Sequence, residues 1–463
     1  KSVMSFSGEL ASQIVRTLRA SGHQAWLVGG CVRDLLIGRE PEDYDVATDA
    51  VPGRLIELFP DARLVGAHFG VVLVHRGEAQ VEVATFRSDY AYLDGRHPAG
   101  VRFETDPRQD VLRRDFTINA LLMDPDTGEV IDYVGGRRDL ESRIVRAIGE
   151  PAKRFEEDHL RMLRAIRFAA RLGFTIEPRT MEAIQALHHK IRSVSAERVR
   201  DELVRILTEG GAEQGFRLLD ESGLLAEILP EVAAMKGVPQ PPQFHPEGDV
   251  WTHTLLLLRN LDHPTPTLAL GALLHDVGKP PTFRVADRIR FDGHDEVGAK
   301  LAGQIMTRLR FSREEIQQVE ALVRNHMRFQ HVTDMKESTL KRFMRQERFE
   351  EHLELHRLDC LASRGRLDNY QFVKQKLHEL PEEQLKPEPL ITGLHLIQEG
   401  YQPGPVFKQM LTAVEDAQLE GRIRTRDEAL QFIRERFPLS GSSSNRAVRE
   451  NHQNGKRHDD QDR

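Results

Sequence analysis

The chain has little cysteine, few aromatic residues and no excess of positive charge. Among 463 residues the only cysteines are Cys31 and Cys360. That excludes a disulfide framework and a cysteine-ligated zinc site, and makes a reducing cytoplasm the natural setting. No apolar run approaches the ~18 residues of a membrane span. The opening stretch "KSVMSFSGELASQIVRTLRASG" has no secretory apolar core and reads as an amphipathic helix. No membrane is therefore expected among the partners. The formal net charge of −7 argues weakly against a nucleic-acid binder, although a local basic stripe can coexist with an acidic whole. What the chain does have is charge of both signs, 30% of residues against 39% hydrophobic. That is a globular composition, and the length calls for roughly two to four domains.

Residues 1–150 alternate short strands and helices. "AWLV" and "YDVAT" read as strands, and "CVRDLLIG", after a Gly-Gly turn, as a short helix. "GVVLVHRGEAQVEVATF" reads as two strands around a glycine turn, "LRRDFTINALL" as helical, and "LLMDPDTGEVIDYVGG" as a hairpin. The expectation is a mixed α/β head. Residues 151–236 switch to helical period: "LRMLRAIRFAARLG" sets Leu160, Leu163, Ile166 and Ala170 on one stripe. "GVPQPPQFHPEGD" reads as a linker. Residues 244–366 form a helical, histidine-rich module and 387–437 a further helical one. The polar end, 439–463, is expected to be disordered.

The head carries the chemistry. Asp43 and Asp45 stand two apart in "EDYDVAT", so a strand there turns both to one face. An isolated D-x-D is more often a pair of solvated acids, but its neighbours change that balance. Glu82 interrupts "VEVAT", facing away from Val81 and Val83, and an acid in an apolar strand needs a partner or a cation. Gly29 and Gly30 make a turn into a helix bearing Arg33, whose backbone N–H groups suit phosphate oxygens. Arg113 and Arg114 add cations able to grip a polyphosphate. Carboxylates on one face hold hard cations such as Mg²⁺, which suits metal-assisted nucleotidyl transfer.

"LVGGCVRDLLIG", "DYDVATDA", "VEVATFR", "RRDFTINAL" and "EEDHLRMLRAIRFAARLG", in that order, resemble the class II tRNA nucleotidyltransferase (CCA-adding) and bacterial poly(A) polymerase family. The resemblance covers about the first 235 residues. It implies a polymerase beta-like head followed by mainly α-helical neck, body and tail domains. It implies Asp43 and Asp45 as Mg²⁺ ligands, Glu82 as a third carboxylate, and Gly29, Gly30, Arg33 and Arg114 at the nucleotide.

Asp158 and Arg161, three apart, admit two readings: an intrahelical ion pair, or a base reader. A carboxylate accepts from an exocyclic amine and an arginine donates to a ring nitrogen. Cytosine and adenine both present that pair; uracil and guanine present the reverse. The resemblance implies the second reading. Arg164 and Arg167 continue at three-residue spacing, either reaching phosphates or pairing with acids. "DYAYLDGRHPAGVRFETDPRQD" resembles the flexible loop of complete CCA-adding enzymes, which favours terminal A addition over a CC-only product.

The series His253, His275–Asp276 and Asp359, with His294 and His326 between, resembles an HD-type metal phosphohydrolase. It implies a site for a divalent transition metal or Mg²⁺, with His294 and His326 at a second ion. The alternative is a degenerate HD fold kept for its helices. Lys279 is placed to meet a phosphate; a 2′,3′-cyclic phosphate or 2′-phosphate on an RNA end is the implied substrate. The last module carries Lys408, Arg422, Arg424 and Arg426, either a solvated face or a phosphate-contacting one that positions RNA without specifying it. The leading expectation is an RNA 3′-end nucleotidyltransferase acting on tRNA with CTP and ATP, with an attached HD phosphohydrolase. The alternatives are an A-adding enzyme or poly(A) polymerase, and an HD hydrolase whose head only binds RNA. Nothing in the chain specifies an oligomeric state.

Overall fold

The computed structural model describes residues 5–439, so the expected disordered end lies, from Ser440 onward, outside the described residues. Among the described residues nine strands run between Ala25 and Ile131: β1 (Ala25–Val28), β2 (Tyr44–Thr48), β3 (Ala62–Gly66), β4 (Val71–Arg76), β5 (Ala79–Thr85), β6 (Arg87–Tyr92), β7 (Pro98–Phe103), β8 (Leu122–Met123) and β9 (Val130–Ile131). Seven of them form a mixed sheet of order β3-β4-β5-β2-β1-β8-β9. Only the β2–β5 pair is parallel, with Tyr44 opposite Val81, Asp45 opposite Glu82 and Val46 opposite Val83. The polymerase beta-like mixed head expected from the sequence is present.

Alternation explains the sheet. In β2 and β5 the buried valines point to one side and pack with Leu10, Ile14 and Leu18 of the helix Phe6–Ala20. That leaves Asp45 and Glu82 on the other side. Glu82 is exposed there, so it is not the buried acid its apolar neighbours suggest. Asp43 precedes β2, in a bend, and is also exposed. The segment resembling a flexible loop forms the β6–β7 hairpin, paired from Arg87–Phe103 to Tyr92–Pro98.

Two expected helical readings change. "LRRDFTINALL" is not a helix: the helix Pro107–Leu112 stops there, Phe116 bridges Ala147, and only Thr117–Asn119 makes a short 3-10 turn. Its polar groups are committed elsewhere. The Thr117 hydroxyl donates to Asp139 and the Asn119 side chain accepts from Arg33. Asp158 and Arg161 do not share a helix either. Asp158 is extended (φ −141°, ψ 107°) at the end of the helix Pro151–Glu157, and Arg161 begins the helix Arg161–Leu172. The Asp158 carboxylate accepts the Leu160 N–H at 3.1 Å, which favours the turn over helix continuation.

The chain divides into two compact units. The first holds the described part of 1–327 together with 354–367, so the boundaries expected near 150 and 236 are internal to it. Its helical part shares one apolar core running from Phe116 to Ala362. The second holds 328–353 and the described part of 368–463. It has two small cores, one around Phe329, Phe343 and Phe349, the other around Leu396, Met410, Val414 and Ile433. Lys408, Arg422, Arg424 and Arg426 are exposed in this unit. Among the described residues no helix is long and apolar enough to cross a membrane.

Candidate active site and metal centre

A cleft of about 470 Å³ in the first unit is lined by Gly29, Gly30, Arg33, Asp43, Asp45, Arg113, Arg114, Asp158, Arg161, Arg164 and Arg167, among others. It gathers nearly all the predicted nucleotide-handling residues. Glu82 is not among the lining residues; it stands beside Asp45 through the β2–β5 register. Gly29 adopts φ +83°, a conformation that favours glycine, and turns β1 into the helix Gly30–Leu36. A Cβ there would sit 3.5 Å from Arg114 Nη1 and 3.9 Å from Asp45 Oδ2, so the turn, the cation and the acid converge.

Most of the cleft arginines are held from behind by acids. Arg33, only 3% exposed, donates to Asp34 at 3.0 Å and to Asn119 at 2.6 Å. Arg113 and Arg114 both donate to Asp110. Arg164 donates to Asp115 at 2.8 Å and buried Arg167 to Glu202 at 2.6 Å. Of the two readings for Arg164 and Arg167, acid pairing is therefore realised, while both still line the cleft. The side chains of Asp158 and Arg161 do not pair with each other; only the Arg161 backbone N–H donates to the Asp158 carbonyl, at 3.1 Å. Arg198 donates to Asp158 at 3.2 Å, and Arg161 donates to Glu157 at 2.9 Å and to the Arg113 carbonyl at 3.2 Å. Each is pinned by its own partner with the cleft beside it, which is the preorganisation a reader of base edges needs.

The carboxylates show a need for a cation. Burial, then the charge of Glu82, push Asp45 up to about 7, with Asp43 adding to the crowding. The Nε of Arg114 is buried with no hydrogen-bond partner. A polyphosphate carrying a divalent cation would answer both: the cation relieves the acids and an oxygen satisfies the donor. The residues fit that group.

The histidine-rich module places its six predicted ligands together. His253, His275 and Asp359 form one group of converging ligand atoms, and Asp276, His294 and His326 a second. Asp276 joins them: one oxygen lies 3.1 Å from His275 Nε2, the other 3.4 Å from both His294 and His326 Nε2. The tautomers follow from the neighbours. Nδ1 of His275, His294 and His326 faces the carbonyl oxygen of Ala272, Phe291 and Val323, and a carbonyl only accepts. Nδ1 of His253 faces Glu247 at 2.6 Å. All four rings thus carry the hydrogen on Nδ1 and turn the Nε2 lone pair inward. His253 Nε2 lies 2.8 Å from Asp359 Oδ1 and 3.2 Å from His275 Nε2. Lone pairs this close need a proton or a cation among them. Burial alone would lower His253, but hydrogen bonds to Asp359 and Glu247 carry it up to about 9. The donor set of imidazoles and carboxylates suits a divalent metal.

Lys279 does not stand free for a phosphate. It is 6% exposed and its ammonium lies 2.6 Å from Gln240 Oε1 and 3.1 Å from Asp276. Sequence reasoning missed Gln240, His245 and Glu247, because "GVPQPPQFHPEGD" read as a linker. His245 and Glu247, with His253, also have converging ligand atoms. The signal was present in the spacing of His245, Glu247 and His253. The acids Asp110 and Asp115 and the cation Arg198 were also missed.

Known proteins share the family and the fold of this chain. Residues 25–146 match the poly A polymerase head domain, 173–236 the probable RNA and SrmB-binding site of polymerase A, and 296–433 a putative tRNA nucleotidyltransferase domain 2. The CC-adding tRNA nucleotidyltransferase of Thermus thermophilus is 36% identical over 426 residues, covering 88% of this chain and 93% of that protein. The CCA-adding enzyme of Bacillus pumilus is 43% identical over 218 residues, 47% of this chain; the match spans about half, 54%, of that protein. Among solved structures, the Bacillus stearothermophilus CCA-adding enzyme in complex with CTP superposes with a TM-score of 0.74 at 27% identity, over 94% of this chain and 99% of that one. The Thermotoga maritima CCA-adding enzyme complexed with tRNA shares the fold, with a TM-score of 0.58 at 20% identity over 92% and 94% of the two chains.

Proposed function

Because the chain belongs to the tRNA nucleotidyltransferase and poly(A) polymerase family, we propose that it adds nucleotides from CTP and ATP to the 3′ end of tRNA without a template. The observation that carries this reading is a single cleft shared by Asp43 and Asp45, the arginines, and the Asp158–Arg161 pair. Asp43 and Asp45, with Glu82 beside them, would hold Mg²⁺. That ion, when bound, supplies Lewis acidity for the attacking hydroxyl and offsets the triphosphate charge. The Gly29–Gly30 turn, Arg33, Arg113 and Arg114 bind and orient the triphosphate for in-line attack at the α-phosphorus, from which pyrophosphate leaves. Asp158 accepts from the exocyclic amine and Arg161 donates to the ring nitrogen, so C and A enter while U and G meet unpaired groups.

The product in this reading is the complete CCA end, supported by the β6–β7 hairpin in the segment that resembles the loop of complete enzymes. A specific observation favours a second reading, addition of CC alone: the Thermus thermophilus relative matching nearly end to end is named for CC addition. The reducing cytoplasm is the setting for either. The histidine module would hold one divalent ion at His253, His275, Asp276 and Asp359 and a second at His294 and His326, and act as a phosphohydrolase on an RNA-end phosphate. The four inward-facing Nε2 atoms support that reading. Lys408, Arg422, Arg424 and Arg426 would meet the tRNA backbone.

The deciding experiment offers tRNA transcripts ending before CCA, after C and after CC, each with CTP, ATP or both, with products resolved to single nucleotides. Full CCA ends support the first reading, and a stop after CC the second. A alone on the CC end shows an A-adding enzyme, and long A runs on unrelated RNA a poly(A) polymerase. No incorporation on any transcript overturns the head assignment.

A further inference from the structure

Asp110 lies behind the cleft, not in its lining, and is 1% exposed. Its carboxylate is filled from three directions. One oxygen accepts the Arg87 backbone N–H at 3.1 Å and the Arg113 side chain at 3.2 and 3.3 Å; the other accepts Arg114 Nη2 at 3.1 Å. Adjacent guanidiniums repel each other, and with one carboxylate between them both forks are anchored. Arg114 is then left with a buried, partnerless Nε and with Nη1 near the Gly29 turn. Burial would raise the Asp110 carboxyl, but the positive charges of Arg113 and Arg114 hold it below the ordinary range, so it is an anion where it stands.

We propose that Asp110 is a positioning residue for triphosphate binding: it aims the Arg113–Arg114 pair at the phosphates while touching no substrate itself. The inference rests on the head reading above. Two physical effects oppose each other when the acid is removed. Losing its charge makes the site more positive, which favours an anion; losing its hydrogen bonds lets the two guanidiniums swing apart, which disfavours one. Geometry decides in favour of the second, because Arg113 and Arg114 share this one anchor.

The test measures binding of inorganic tripolyphosphate with Mg²⁺, and separately of cytidine, to the intact chain by calorimetry, so it reads the proposal whether or not the protein incorporates nucleotides. For D110N the tripolyphosphate Kd is expected to rise about tenfold or more, in line with loss of charge-assisted hydrogen bonds, with cytidine binding unchanged. D110E, which keeps the charge, should recover part of the loss; it also serves if D110N does not fold. In an R113Q/R114Q background D110N should add nothing, the signature of a residue acting through that pair. The same variants in the incorporation assay should raise the KM for CTP more than they lower kcat. Unchanged or tighter tripolyphosphate binding, or equal losses for cytidine, would overturn the positioning role. Failure of the head reading is told apart by a wild-type chain that binds tripolyphosphate yet incorporates nothing.

Discussion

The two candidate metal sites of the first unit are built in opposite ways. In the histidine module the ligand atoms are already gathered and buried: His253 and His275 are 0% exposed and Asp276 2%. In the head, Asp43 and Glu82 are exposed, and among the described residues the three head carboxylates do not form a group of converging ligand atoms. Charge explains the difference. In the histidine module the carboxylates are offset by Lys279 and by the rings packed against them. In the head, burial and then the neighbouring charge of Glu82 raise Asp45 to about 7, with Asp43 adding to the crowding. The first arrangement suits an ion held in a buried nest of ligand atoms; the second suits one delivered with a substrate.

The largest effects should come from breaking each site separately. Asp45→Asn is expected to cut nucleotide incorporation by about 10²–10³-fold or more and to leave metal content at the histidine module unchanged. It should also stabilise the metal-free protein. The ordinary carboxyl value is 3.8 and the folded one about 7, so the folded chain holds a proton that the unfolded chain has lost. Stability therefore falls as pH rises through that window, and the variant escapes the fall. Calorimetric melting in chelator should show Asp45→Asn melting above wild type at pH 8, by roughly 1–4 kcal/mol, with no gain at pH 4. A variant that melts no higher would mean that the crowding of the acids carries no energy.

Asp276→Asn tests the other side. Because Asp276 touches both histidine groups, it should lose both ions, with an affinity drop of at least about 100-fold. His326→Ala should lose only one. Elemental analysis after dialysis reads both, and incorporation should persist. Loss of incorporation as well would mean that the two sites share a scaffold failure rather than differing in design. Within the cleft, Arg161→Ala should lower the preference for CTP over UTP by about 10- to 100-fold, measured as the ratio of kcat/KM.

The smallest effect lies in the second unit. Burial, with Arg328 nearby, lowers His352 to about 4, and its ring stacks on Phe349. The unfolded chain binds a proton near 6.5 that the folded one refuses, so its stability is full above that pH and declines as pH falls towards 4. His352→Phe should flatten this part of the melting profile by up to about 1.4 kcal/mol per pH unit and leave the profile above pH 7 unaltered.

Much of this contrast was legible in the sequence. The strands β2 and β5 announce themselves by alternation and β1 and β4 by short apolar runs, and His253, His275, Asp276, His294, His326 and Asp359 were singled out through the resemblance to an HD-type module. What stayed hidden depends on partners distant in sequence. Asp110, Asp115 and Arg198 look like ordinary charges until the fold sets arginines against the acids and Asp158 against Arg198. Glu247 and Gln240 sit in a Pro-rich stretch that reads as a linker, which masks the His245–Glu247–His253 spacing, yet their side chains meet His253 and Lys279. The helix break at Asp158 was missed because a local hydrogen bond to Leu160 outweighs a pattern that reads as continuous helix.

The β2–β5 register has a mechanical consequence. Neighbouring strands lie about 4.8 Å apart, and shifting one strand by a single residue would turn Val81 and Val83 out into solvent and Glu82 into the packed side. Asp45 and Glu82 therefore cannot drift apart by slippage. The apolar packing on one side of the sheet acts as a vice on the other, keeping two like charges adjacent, and the grip of that vice is set by how well Val46, Val81 and Val83 seat against the first helix. Loosening a valine there should slacken a site whose residues it never touches.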